Sequence, residues 1–401
     1  MKIKQSSTEV ELVNKVMNRV DFCNRQLFVG IDVHKNRWQV AVFLDGVVLS
    51  NVSIAGAAEQ LITYLHKHYG KANFQCVYEC GPFGFNLCRA LWAAGMECIV
   101  VNPADIPGTD KERRSKTDKV DARKLARHHA SGLLTGVHVP SEKTQKQRSI
   151  IRFRKKLWGD LVRAKNRIKS ELKFQGIVVP EKYDNPHWSR NFLNWIIQQA
   201  HTDEDLKDTL LLMVDEVQSL RLLLLKTERK LRELMWTEQY QLKSDLLRTI
   251  PGVGPLTAML FLLEVGDINR FKRFDALNKF VGLCPDSDSS GDTERHTGLT
   301  TRRHRTLRSA LVESAWQLVR RDPAMFEQYN SLCKRMKSSK AIIRIARKLL
   351  RRMRAILISG KPYMSGINGN LTSADINAPE LAVAKPKGRP KKNAPAGVTV
   401  C

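Results

Sequence analysis

The chain has 401 residues, with 67 Lys and Arg against 40 Asp and Glu, and 42% of its residues are hydrophobic. That length suggests two or three domains rather than one core, and that apolar content excludes global disorder. The formal charge of +27 repels itself unless a polyanion lies across it, and nucleic acid is the usual polyanion.

The first 25 residues form a polar leader, and MKIKQSSTEVELVNKVMNRV lacks the apolar core of a signal peptide. Residues 27–32 (LFVGID) read as a buried strand ending in an acid. Residues 38–44 (WQVAVFL) read as a second strand, Asp45-Gly46 as a tight turn and 47–54 (VVLSNVSI) as a third strand. A helix fits 57–69, a fourth strand 75–79 (QCVYE, again ending in an acid), a helix 84–94 and a fifth strand 97–101 (ECIVV). Three strands in a meander, followed by alternating helices and strands, is the element order of a ribonuclease-H-like α/β domain, placed at 26–140. The eight cysteines are scattered, with no CxxC or Cys/His zinc spacing. They read as reduced thiols in a cytosolic protein.

Residues 117–131 (TDKVDARKLARHHAS) read as a helix with Thr117 as N-cap and Gly132 past its end. An arm at 141–243 follows. Its first long helix, 142–175, places Leu157, Leu161, Ala164, Ile168 and Leu172 on one stripe. Residues 141–173 carry twelve Lys/Arg against three acids, which marks Arg152, Arg154, Lys155 and Lys156 as phosphate-contacting candidates. After a break at Pro180–Pro186, a helix at 203–240 keeps Leu210, Val214, Val217, Leu220, Leu224, Leu231 and Leu234 in near-heptad rhythm. The pair reads as an antiparallel coiled coil, although a helical-bundle core gives the same rhythm. A helical domain at 244–360, interrupted by a polar loop at 284–300, precedes a tail at 361–401 whose Gly, Pro, Asn and Ala content predicts disorder. No run reaches the ~18–20 apolar residues of a membrane span.

Asp32 and Glu79 each end a predicted strand, and Asp118 and Asp121 share one face of a helix start. If the three segments converge, four carboxylates can hold two divalent ions for phosphodiester chemistry. Oxygen-only ligands favour Mg2+. Read separately, Asp32 and Glu79 merely end strands and the helical pair favours an N-terminus. His34 and Lys35 are able to meet a phosphate, while an exposed turn explains them equally well. His128 and His129 read as helix-surface residues.

In the second half, IPGVGP resembles a helix-hairpin-helix turn, in which Gly252 and Gly254 let backbone N–H groups approach a DNA phosphate. The polar loop places Ser287, Ser289 and Ser290 before Gly291, followed by Arg295, His296, Arg302, Arg303, His304, Arg305 and Arg308. A serine beside a flexible glycine can swing its hydroxyl toward a phosphate while arginines neutralise developing charge. Most Ser-Gly pairs are only turns.

The segments FVGIDVHK, VYECGPFG and KTDKVDARKLA, then TIPGVGPLTAMLFLLEVGDINRF and GLCPDSDSSG, resemble the DEDD-type transposases of insertion-sequence family 110, relatives of the Piv invertase. The resemblance covers about residues 27–131 and 245–320 and implies a RuvC-like N-terminal domain with Asp32, Glu79, Asp118 and Asp121 as its four acids and a helical transposase domain, while the coiled-coil arm between them matches in character rather than in motif. It implies a nucleophilic serine at Ser290, with Ser289 and Ser287 close by. It further implies a structured non-coding bridge RNA that guides donor and target DNA, and a dimeric or tetrameric assembly in the bacterial cytoplasm, at the nucleoid. This chain has Thr301, Arg302 and Arg303 where members often carry Lys-x-Gly, and its 361–401 extension is not part of the family core. Within that tail KPKGRPKK, centred on Arg389, resembles an AT-hook for a narrow minor groove. The competing catalytic reading is a RuvC-like two-metal nuclease or junction resolvase that needs no serine. The competing non-enzymatic reading is a basic nucleic-acid-binding protein whose acids are structural.

Overall fold

The computed structural model describes residues 21–108, 117–183, 188–290 and 293–365, with only the backbone for 286–290 and 293–297. The chain divides into two compact units at Ser141/Glu142. Most of the polar leader, residues 366–401 of the tail with Arg389, and Gly291 lie outside the described residues.

The first unit is an α/β sandwich. Strands β1 (Gln26–Val33), β2 (Arg37–Leu44), β3 (Val47–Ala55), β4 (Asn73–Glu79) and β5 (Glu97–Val101) form one sheet in the order β3-β2-β1-β4-β5. The meander β1–β2–β3 is antiparallel, and β4 and β5 join it in parallel. The β2–β3 turn places Asp45 and Gly46 at φ 47° and 88°, the positive values that an Asp-Gly hairpin supplies. The crossover helices α1 (Ala58–Tyr69) and α2 (Asn86–Ala93) cover one face, where Leu27, Val29, Ile31, Cys76 and Tyr78 are buried with Leu61 and Leu91. Helix α3 (Asp118–Ala130) covers the other, burying Ala122 and Ala126 against Ala41 and Phe43, and Leu125 against Val77. This mixed sheet with helices on both faces fits the expected ribonuclease-H-like domain.

The second unit begins with α4 (Glu142–Phe174), followed by α5 (Arg190–Ala200) and α6 (Glu204–Met235). Gln147 meets Gln239, Arg154 meets Glu228 and Arg167 meets Glu216, so the two long helices run antiparallel. The expected stripe is the buried one: Leu157, Leu161, Ala164, Ile168 and Leu172 pack with Leu210, Val214, Val217 and Leu224. Sequence reading passed over α5, which lays Phe192, Leu193 and Ile196 onto this core. Ile151, Leu231 and Met235 at the arm's base belong instead to the core of the helical domain. That domain is built from α7 (Gln241–Arg248), α8 (Pro255–Val265), α9 (Phe274–Val281), α10 (Arg305–Arg321), α11 (Pro323–Cys333) and α12 (Ser338–Ser359). Every residue of α8 from Ala258 to Val265 is buried, which makes it the central helix.

Residues 284–300, expected as a loop, instead pair as an antiparallel hairpin of β6 (Pro285–Ser290) and β7 (Thr293–Leu299). Asp and Ser are weak strand formers, so propensity hid the pairing. The Gly-Asp pair between the two runs was the available hairpin signal. At the other end, Tyr363 extends the ordered part of the domain past 360. Its hydroxyl donates to the buried Asp322 carboxylate and its N–H to Thr249 Oγ1 at 2.8 Å.

Candidate active site

Alternation along β1 and β4 decides which face each acid occupies. Leu27, Val29 and Ile31 point to the α1–α2 side, so Gly30 and Asp32 point to the α3 side. In β4, Phe74, Cys76 and Tyr78 point to the α1–α2 side, so Val77 and Glu79 also face α3. Ile31 pairs with Tyr78, which places Asp32 and Glu79 side by side one step on, at the carboxyl ends of adjacent parallel strands. Helix α3 then brings its first turn, with Asp118 and Asp121, to the same sheet end.

Close approach of α3 depends on Gly30. A Cβ built there would lie 2.1 Å from Ala122 O and 2.5 Å from Ala126 N, so only glycine lets the helix backbone rest on the strand. Glycine inside a strand is a known sign of such an approach. A polar relay fixes the helix start as well. Gln39, buried and paired in register with Asp32, donates to Asn51 Oδ1 at 2.6 Å, and Asn51 Nδ2 donates to Lys119 O at 2.9 Å. Lys119 lies between the two helical acids. Thr117 is the N-cap by position, but its side chain makes no capping hydrogen bond.

Asp32, His34 and Asp118 bring one ligand atom each within 4.8 Å of one another. His34 Nε2 sits 3.0 Å from Asp32 Oδ2 and 3.7 Å from Asp118 Oδ1. Burial raises the Asp32 pKa above the ordinary range. The His34 hydrogen bond opposes that rise, and the charges of Asp118 and Asp121 add to it. Negative charge is therefore crowded around a half-buried carboxylate, an arrangement that a cation relieves. The sequence reads His34 as a phosphate contact or an exposed turn residue, and the structure places it among the acids. His129 is not a surface residue: it is half-buried edge-on to Phe28, with ring centroids 5.5 Å apart.

Residues 29–175 match the family model of IS110-type DEDD transposases, and residues 244–330 match the model of the Transposase IS116/IS110/IS902 family. The chain is similar to y4qE, a transposase-like protein of Sinorhizobium fredii, with 32% identity over 73% of this chain and 72% of the relative. It is 30% identical to the transposase for insertion sequence element IS1533 of Leptospira borgpetersenii, over 73% of this chain and 85% of the relative. It is also 24% identical to the pilin gene-inverting protein of Moraxella lacunata, over 84% and 97% of the two chains. The chain belongs to the IS110-type DEDD transposases. It is a DNA transposase and recombinase, and membership in this family implies use of a divalent metal. The hard carboxylate oxygens of Asp32 and Asp118, with His34 beside them, fit such an ion, while Glu79 and Asp121 share the sheet end but fall outside this group.

In the second unit of the transposase, Ser290 ends β6 with its Cα partnered to Thr293, and Ser289 and Ser287 precede it on the same strand. Their side chains, and those of Arg295 and His296, lie outside the described residues. The hairpin root is pinned from below. Arg308 Nη1 donates to Gly282 O at 3.0 Å and Thr300 O at 3.2 Å, which commits it to the backbone rather than to a phosphate. Arg302, Arg303 and Arg305 beside it are exposed. Gly252, at φ 90°, also serves packing. A Cβ there would meet Ser314 O at 2.7 Å and Leu318 N at 2.9 Å, so its glycine seats the turn on α10, while Gly254 stays open.

Two of the four arm cations have structural duties. Arg154 ion-pairs with Glu228 across the arm at 2.6 Å. Arg152 makes a two-pronged pair with Glu264, at 2.8 and 2.7 Å. Glu264 is 4% exposed inside the apolar helix α8, so the charge of the arm's arginine answers a carboxylate that the core cannot solvate. Burial alone would raise the Glu264 pKa, but hydrogen bonds from Arg152 and His304 overcome it and hold it down at about 2. His304 Nδ1 accepts from Leu307 N at 3.2 Å as cap of α10, which leaves the proton on Nε2, 3.3 Å from Glu264 Oε2. Lys155 and Lys156 remain exposed.

Proposed function

We propose that this transposase cuts and rejoins DNA through a serine-linked intermediate, with its DEDD acids holding two Mg2+ ions. The observation that carries this reading is the shared face of Asp32 and Glu79 with the first turn of α3. Asp32, Glu79, Asp118 and Asp121 would hold the ions, which when bound activate the attacking oxygen and stabilise the leaving oxygen. The Ser290 hydroxyl attacks a DNA phosphorus. Its Oγ–P bond forms as the Oγ–H bond gives up its proton to solvent, the bond from phosphorus to the leaving sugar oxygen breaks, and that oxygen takes up a proton in turn. Holding the broken end on protein conserves the phosphodiester, so the reverse attack reseals a new partner without an external energy source. Arg302, Arg303 and Arg305 at the hairpin root neutralise phosphate charge, and the open N-terminus of α8 at Gly254 receives a backbone phosphate.

The relatives' names suggest the biological setting, the movement or inversion of a DNA element by its own enzyme. Lys155 and Lys156 on the arm, which we read as a coiled coil, contribute to binding a structured guide RNA. The Arg389 segment lies along a DNA minor groove. Acids and serine fall in separate units, so a dimer or tetramer can assemble a composite site from two chains.

The test is a covalent one. Wild-type protein incubated with end-labelled element DNA and Mg2+ should give a protein–DNA adduct on denaturing gels. Ser290→Ala should abolish it while DNA binding persists. Asp32→Asn, Glu79→Gln, Asp118→Asn and Asp121→Asn should each lower it at least a hundredfold. Mixing Ser290→Ala with Asp32→Asn protein should restore part of it if chains share a site. An adduct that survives Ser290→Ala moves the assignment to Ser289 or Ser287, and cutting without any adduct favours the hydrolytic nuclease.

A further inference from the structure

The strongest unassigned feature is α12. From Lys334 to Met364 the sequence holds eleven Lys and Arg and no Asp or Glu. Five of these cations have contacts within the protein: Arg347 pairs with Asp275, Lys348 with Gln328, Arg352 with Asp322 and Tyr363, Arg354 with the carbonyls of Phe271 and Lys272, and Arg351 lies over the Phe274 ring at 4.8 Å, which leaves its charge without a carboxylate. Lys337, Lys340, Arg344, Arg347 and Arg351 follow one another at steps of three and four, so they form one straight row along the helix. Lys337, Lys340, Arg344 and Arg351 are exposed, and Lys334 and Arg335 extend the row beyond the helix start. The opposite face is core: Ile342, Ile345, Leu349 and Met353 are buried. From Lys337 to Arg351 the row is about 21 Å long.

Such a row works against itself. Like charges at these spacings destabilise a helix. Lysines at the first turn also oppose the helix dipole, and α12 has no acid there and no side-chain cap. The solvent faces of the arm behave differently, since Glu142–Lys146, Asp160–Arg163, Glu204–Lys207 and Lys230–Glu233 are paired along the same helix. Among the described residues, Lys337, Lys340, Arg344 and Arg351 have no carboxylate partner. A five-cation row in which Arg347 alone has a carboxylate partner among the described residues, ending at an uncapped helix N-terminus, fits a line of phosphates.

We infer that the exposed face of α12 is a docking surface for the phosphate backbone of duplex DNA, separate from the serine hairpin and from the acid cluster. The row tracks one strand's phosphates, and the free N–H groups at Ser338 and Ser339 receive the phosphate at its end. The inference rests on DNA as the transposase's substrate and not on the serine chemistry, so it survives if the adduct experiment fails.

The experiment is full-length Lys340→Gln/Arg344→Gln/Arg351→Gln protein, titrated by fluorescence anisotropy onto a 30-base-pair duplex across potassium chloride concentrations. Each lost phosphate contact lowers the salt slope by about 0.9, so the triple variant should flatten it by about 2–3 and weaken binding about tenfold or more. A control with the same charge change elsewhere, Arg25→Gln/Lys67→Gln/Lys71→Gln, should leave the slope nearly intact. Arg344→Gln alone, which touches no packing, should remove about one contact and covers the case in which the triple variant folds poorly. An unchanged slope in Arg344→Gln and the triple variant overturns the proposal. So does an equal loss in the control, or a loss confined to a structured RNA hairpin with duplex DNA binding intact.

Discussion

Replacing Gly30 by alanine adds one methyl group, and the structure says where it must go. The new Cβ would stand 2.1 Å from the Ala122 carbonyl oxygen and 2.5 Å from the Ala126 nitrogen. Both are backbone atoms of α3, so no side-chain rotation relieves the clash. To reach an ordinary contact the helix has to retreat by about 1 Å, and overpacking of this kind costs about 1–3 kcal/mol. The retreat carries Asp118 and Asp121 away from Asp32 and Glu79, which stay with the sheet. Metal ligation tolerates roughly 0.2 Å of error, and a misplacement of about 1 Å in a catalytic group costs on the order of a hundredfold in rate. Gly30→Ala should therefore unfold at lower urea concentration, and its adduct formation should fall about a hundredfold even under fully folded conditions. Measuring the rate across a metal titration separates weak binding from misplacement, because extra metal rescues only the former. A variant with the wild-type urea midpoint and rate would refute the packing argument. Lost stability with an unchanged rate would refute the link from α3 to the acids.

Asn51→Ala cuts the relay from Gln39 to Lys119 O, and loss of a supporting partner of this kind costs about 10–100-fold in metal affinity; a metal titration of adduct formation reads it, with little change expected in DNA binding. Glu264→Gln removes the counter-charge of the exposed Arg152 and of the largely buried Arg148, and the buried cation left behind should destabilise the second unit by about 3 kcal/mol, seen as a lower urea midpoint. The pH dependence has a definite sign. The folded pKa of Glu264 is held near 2 against an ordinary 4.5, so its stabilisation is complete above 4.5 and is lost as pH falls toward 2. Wild-type protein should lose more stability than Glu264→Gln between pH 5 and pH 3, and parallel losses would remove the ion pair from the account.

Much of the first unit was legible because its signals are local. Alternating apolar residues in 27–32 and 75–79 located strands that end at Asp32 and Glu79, and the Asp45-Gly46 turn set the meander. The i,i+3 spacing of Asp118 and Asp121 put them on one helix face. Long-range pairing was not legible. Nothing local to Arg152 or Arg154 announces that Glu264 and Glu228, more than seventy residues away, will claim their charge. A cation count along 141–173 could not separate structural arginines from free ones. The hairpin at Ser290 was missed for the reverse reason: main-chain pairing overrode residues that individually disfavour strands.

The Glu264 pair has a mechanical consequence. Arg152 lies near the root of α4, and the helix runs on to Phe174, about 33 Å beyond it at 1.5 Å per residue. Ile151 in the core of the helical domain and Arg148 on the Leu263 carbonyl seat this rod together with the charge pair. A tilt of about 10° at the root sweeps the far end through about 6 Å. Leverage works in both directions, so a load on the tip is multiplied at the root, where Glu264 is one of the contacts that share it. The same carboxylate is touched by His304, which caps α10 just below the strand pair carrying Ser290. The root of the arm and the footing of that strand pair therefore meet on one carboxylate.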